Sequence, residues 1–105
     1  MGANKNIPLD QVTPDMIEAW KSQYEEVFKI KVEDKAAILR SPSRQELSYA
    51  SKAGATDPMK FNEVILKECW LAGDEEIQTK DSYFMGASGV LDKIIGIKQA
   101  ELEKL

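Results

Sequence analysis

Apolar positions along this chain switch between helical and alternating spacing, and the switches fall at Pro, Gly and capping residues. Met16, Ile17, Trp20 and Tyr24 recur at helical intervals after Thr13-Pro14-Asp15. There Thr can cap free amides, Pro has the φ of a first turn and Asp faces the positive end of the helix dipole. A helix is expected from residue 14 to about Gln23, with that stripe in the core. Residues 27–32 then alternate, placing Phe28, Ile30 and Val32 on one face of a strand and Lys29 and Lys31 on the other. Glu33-Asp34-Lys35 turns the chain, residues 36–40 return, and Pro42 ends the pairing because it has no amide to donate. A two-stranded hairpin is marginal in water, so its apolar face needs helices, a third strand or another copy of the chain. Residues 75–79 are the candidate third strand.

The second half reads as helices. Ser43-Arg44-Gln45-Glu46 is a capping box, overlapped by a second start at Ser41-Pro42, and it opens a helix with Leu47 and Ala50 inward and Gly54 at its end. Thr56-Asp57-Pro58 opens the next, in which Phe61, Val64, Ile65, Cys69 and Trp70 keep helical spacing up to Gly73. Asp81 or Ser82 can cap a last helix with Phe84, Leu91, Ile94, Ile95, Leu102 and Leu105 in a near-heptad stripe. Gly86, Gly89 and Gly96 each cost about 1 kcal/mol inside a helix, so its continuous part is expected from Val90 onward. Residues 1–11 show no period and read as a flexible leader. The expected fold is α+β: one domain over residues 12–105, with a hairpin packed on about four helices and a long C-terminal helix.

Composition limits the partners. The 105 residues are 43% hydrophobic and 30% charged, which is globular, and the size fits a single domain. Net charge is −4, and the excess lies in the second half: residues 1–56 carry eight basic and eight acidic residues, residues 57–105 six and ten. Scattered lysines and a pI near 4.9 give no footprint for a phosphate backbone, so no nucleic-acid partner is expected. No apolar run approaches the roughly 20 residues of a membrane span, and no signal peptide is recognised, so a cytoplasmic protein is expected.

Candidate chemistry is sparse. With no His and one Cys, the side chains that most often act near neutral pH are missing. Cys69 lies on an apolar stripe and reads as a buried thiol. Asp74-Glu75-Glu76 lacks the spacing of a calcium loop and reads as solvated charge. Glu63 with Lys67, and Asp57 with Lys60, have the spacing of helix-surface ion pairs. Gly86-Ala87-Ser88-Gly89 matches the Gly-x-x-Gly of KH domains in form, but its uncharged middle and acidic surroundings favour a flexible joint or tight helix packing. No catalytic, metal or cofactor residue is assigned. The expectation is a non-enzymatic protein that acts by contact, with Trp70, Leu91, Ile95 and Leu102 as candidate partner-binding residues.

A resemblance sharpens this expectation. The hairpin followed by Leu39-Arg40-Ser41-Pro42-Ser43-Arg44-Gln45-Glu46-Leu47, then Ile65-Leu66-Lys67-Glu68-Cys69-Trp70-Leu71-Ala72-Gly73-Asp74-Glu75-Glu76-Ile77 and a terminal Ala100-Glu101-Leu102-Glu103-Lys104-Leu105, resembles small tailed-phage and prophage proteins, including tail assembly chaperones. The resemblance spans roughly residues 24–105. It implies binding to the tape measure protein and assistance to tail-tube assembly in the host cytoplasm; the open edge of the hairpin separately makes strand-mediated homo-oligomers an expectation. The alternative is a small structural protein of a virion or mobile element.

Overall fold

The computed structural model describes residues 6–95 and 99–105. Residues 1–5 of the expected leader and 96–98 of the expected last helix lie outside the described residues. Three strands, β1 (Val27–Val32), β2 (Lys35–Arg40) and β3 (Trp70–Gly73), form one antiparallel sheet in the order β1-β2-β3. Six helices are described: α1 (Pro14–Gln23), α2 (Arg44–Ala53), α3 (Pro58–Glu68), α4 (Glu76–Thr79), α5 (Asp81–Ser88) and α6 (Leu91–Ile95). The fold is α+β.

The hairpin forms as its alternation requires. Val32 pairs with Lys35 across a two-residue turn, and Glu33 adopts a left-handed φ of 56° to make it. Ile30 then faces Ala37 and Phe28 faces Leu39, so these four lie on the same side of the sheet. There they meet Ile65 and Leu66 of α3, Cys69, Ile77, Ala87, Leu91 and Ile94 in one core cluster. Burying each large aliphatic side chain contributes roughly 1.5–3 kcal/mol, and that term holds the layers together. Ala87 reaches the cluster because its helix comes close to the sheet: a Cβ on Gly86 would lie 2.8 Å from Val32 Cγ1. The Gly-Ala-Ser-Gly stretch is therefore helix packing, with Gly89 as the C-cap of α5.

Several expectations are corrected. Residues 75–79 are not a strand; Glu76–Thr79 is one helical turn that buries Ile77. The third strand is instead the segment read as the end of a helix: α3 stops at Glu68, and Trp70–Gly73 pairs with β2. β2 consequently becomes the central strand and is buried on both faces from Ala36 to Leu39. The α1 stripe is not core. Met16, Ile17, Trp20 and Tyr24 are all half-buried, and no residue of α1 belongs to the core cluster. The long C-terminal helix is also absent among the described residues: Gly89 and Val90 separate α5 from α6, and residues 99–105 have no helical structure.

The two edges of the sheet differ. On the β3 side, Gly73 N donates to Ile7 O at 3.0 Å, Asn6 Nδ2 donates to Gly73 O at 2.7 Å, and Trp70 Nε1 donates to Asn6 Oδ1 at 2.7 Å. Residues 6 and 7 therefore seal that edge, and the folded unit begins before residue 12. On the other side, Ser41 N donates to Glu26 O, while Arg40 N and Asp74 N reach Cys69 O and Ala36 O across β3. This parity directs Phe28, Ile30 and Val32 toward β2. The backbone groups of Val27, Lys29 and Lys31 consequently point outward from a β1 edge that no described strand covers.

Candidate protein-binding surface

The most strongly perturbed ionisable groups tie elements of the fold together. At the end of β2, Arg40 makes a bidentate pair with Glu46 of the α2 capping box, Nη1 to Oε1 at 2.8 Å and Nη2 to Oε2 at 2.6 Å. Nη2 also donates to Glu68 O at 2.7 Å, and the guanidinium lies 5.0 Å from the centroid of the Tyr24 ring. One side chain thereby joins the ends of α1, β2 and α3 to the start of α2. The Arg40 hydrogen bonds, opposed by burial and assisted by the Ser43 amide, hold the Glu46 carboxyl down at about 2. Glu76 is likewise held down at about 2 by Lys35 at 2.8 Å and Lys80 at 2.9 Å. Asp74 accepts from Ala36 N at 3.0 Å, and Tyr83 donates to Asp34 at 3.0 Å. In the Asp74-Glu75-Glu76 run, two of the three carboxylates are thus engaged in holding the sheet to α4.

Cys69 is fully buried beside this knot, and desolvation pushes its thiol up to about 11. The thiolate population is lowered about 100-fold relative to an ordinary cysteine, before any steric protection. Labelling of the native protein with a thiol-reactive probe at neutral pH is therefore expected to be slower than that of free cysteine by at least that factor. Full reactivity should return in denaturant. Labelling at the free-cysteine rate in buffer would contradict the burial.

A different surface offers space. Asp57 accepts from Met59 N at 3.2 Å and Pro58 follows it, which fixes the first turn of α3 and points Met59 away from the core. The α4–α5 junction brings Gln78, Asp81, Phe84 and Met85 opposite it. Together with Glu63 they line an open groove of about 450 Å³. Met85 is 55% exposed and Phe84 half-buried, and with Met59 they make up the apolar half of a lining whose other half is polar. Glu63 and Asp81 are the charged groups of the lining, and both are acidic. Glu63 is also paired with Lys60 at 3.7 Å, rather than with Lys67 as its spacing allows. Next to the groove, exposed Tyr49 with Ala53 and Val64 lines a second hollow across α2 and α3, together with the charged Lys60, Glu63, Lys67 and Glu68. Unbranched thioethers adapt their shape to a partner at small energetic expense, which suits a surface for varied apolar segments.

The residues expected to bind a partner are not gathered at one place. Trp70 is half-buried in β3, its indole held by Asn6. Leu91 is 1% exposed and belongs to the core, so it presents no surface. Ile95 is half-buried at the end of α6, and Leu102 is 99% exposed beyond it. The near-heptad stripe is split between interior and solvent because the helix that would carry it is interrupted. Met59 and Met85 were not singled out, although one signal was present: both sit in helical segments without joining either apolar stripe. Comparison of the chain with family models, curated proteins and solved structures finds no match.

Proposed function

We propose that this chain is a non-catalytic protein-binding factor of the tail assembly chaperone type. It holds an amphipathic helix of a tape measure protein against the Met59, Phe84 and Met85 groove, in the host cytoplasm, while the tail tube assembles. The observation that carries the reading is that groove, in which Met59, Phe84 and Met85 stand among Glu63, Gln78 and Asp81. Its occupant has an apolar face flanked by Lys or Arg, by charge complementarity. The resemblance of residues 24–105 to small phage proteins supports the choice of client. The engagement of the perturbed carboxylates in structural ion pairs supports a role in contact rather than in chemistry.

Co-expression with the tape measure protein tests the proposal. The wild-type chain is expected to co-purify with it and to raise its solubility. Met85→Glu is expected to reduce co-purification at least tenfold without changing thermal unfolding, since Met85 is mostly exposed. Full binding by both Met85→Glu and Glu63→Lys would remove the groove from the account. Failure of the wild-type chain to co-purify, with client solubility unchanged, would remove the chaperone reading itself. The open β1 edge favours a second reading, a structural protein built from repeated copies and retained in the particle. Mass spectrometry of purified particles separates the two, because a chaperone leaves and a structural component stays.

A further inference from the structure

We propose that the open edge of β1 accepts residues 100–105 of a second copy of this chain as a fourth, antiparallel strand. The sheet already takes up an extended segment at its other edge, where residues 6 and 7 close β3. At β1 the outward amides and carbonyls of Val27, Lys29 and Lys31 have no such cover among the described residues. These are the groups an added strand pairs with.

The occupant is identified by pattern and charge. Residues 99–105 are exposed throughout and carry no regular structure of their own, and Leu102 and Leu105 are fully exposed. Ala100-Glu101-Leu102-Glu103-Lys104-Leu105 alternates small or apolar with acidic residues over its first four positions, at strand period. β1 presents the complement: exposed Lys29 and Lys31 on one face, Phe28, Ile30 and Val32 on the other. Neither lysine has an ion-pair partner among the described residues.

One antiparallel register matches both faces over residues 100–103. Placing Glu101 opposite Lys31 and Glu103 opposite Lys29 sets Leu102 opposite Ile30 and Ala100 opposite Val32. Leu105 then falls beside half-buried Val27, and the aliphatic stem of Lys104 beside Phe28. A slip of one residue puts both glutamates on the apolar face, so the register is specified. The acidic Met59–Met85 groove is the wrong receptor for this segment, since Glu101 and Glu103 would face Glu63 and Asp81. Residues 99–105 are exposed and do not pair with their own β1, and the proposed occupant is a second copy of the chain. The inference does not rest on the client-binding groove, which is formed by α3, α4 and α5.

Sedimentation velocity of the full chain over a wide concentration range tests it. Self-association is expected, and Lys29→Glu/Lys31→Glu is expected to weaken it at least tenfold. Glu101→Lys/Glu103→Lys should do the same, and combining all four changes should restore it. Leu102→Asp, in an exposed segment whose change leaves the fold intact, should also weaken it at least tenfold. A monomer at every concentration would overturn the inference, including a monomer whose tail amides are protected from exchange by its own β1. Association unaffected by the charge reversals, or not recovered in the fourfold variant, would overturn it equally.

Discussion

Gly73→Ala is expected to destabilise this protein by about 2–6 kcal/mol, a large part of the roughly 5–15 kcal/mol that holds a domain folded. Gly73 has φ 139°, a conformation that side-chain-bearing residues rarely adopt. An added Cβ would stand 2.5 Å from Ala37 Cα, 2.6 Å from Ala36 O and 2.8 Å from Ala37 Cβ. These neighbours belong to the central strand and have nowhere to move. Gly73 also donates to Ile7 O, so the change strains the sealed edge together with the β2–β3 pairing. Urea unfolding followed by circular dichroism gives the measurement. Gly89→Ala is the control, since its Cβ would meet nothing nearer than 3.4 Å and its effect should stay within about 1 kcal/mol. Equal stability of Gly73→Ala and the unaltered protein would contradict the pairing of Trp70–Gly73 with β2.

Arg40→Ala is expected to remove about 2–4 kcal/mol, because it leaves a mostly buried carboxylate without its partner and frees the Glu68 carbonyl. The Arg40 and Glu46 side chains are only 16% and 19% exposed, which separates this pair from surface pairs such as Lys21 with Glu18. The same contact sets an acid dependence. Glu46 is held at about 2 in the folded chain against an ordinary 4.5, so its stabilisation is complete above the unfolded value and is lost as pH falls from about 5 to about 2. Its size is on the order of 2–3 kcal/mol. Glu46→Gln should therefore be less stable than the unaltered protein at pH 7, and the difference should shrink toward zero near pH 2. Glu76, held down by Lys35 and Lys80, adds a smaller acid response in the same window that Glu46→Gln leaves in place. A pH-independent gap between the two proteins would contradict the assignment.

Local rules were enough where the deciding contacts are local. The Thr13, Ser43 and Asp57 caps, the Glu46 capping box and the alternation of β1 are set by residues within a few positions of one another, and each element forms where its signals lie. The failures have a common cause in pairing across sequence distance. Trp70-Leu71-Ala72-Gly73 has no alternation of its own and becomes a strand because β2 offers it a partner some 35 positions away. A helical spacing that continues past Glu68 is overridden by that pairing. Leu91 and Ile94 carry real helical periodicity and lie in the core through the short α6, whereas Leu102 lies in an exposed stretch with no helical structure. The candidate surface was hidden for the same reason: Met59 and Met85 meet only where α3 and α5 line one groove. Of the residues picked from sequence as partner contacts, Leu102 retains that role in the account, now at a sheet edge.

In the proposed function a helical client sits on the groove between α3 and α5. Hydrogen exchange of the full chain, alone and in complex with the co-expressed tape measure protein, tests it most directly. Slowed exchange concentrated in α3 and α5 on complex formation, and lost in Met85→Glu, is the predicted result. A stable complex in which the amides of α3 and α5 exchange as they do in the free chain would contradict it.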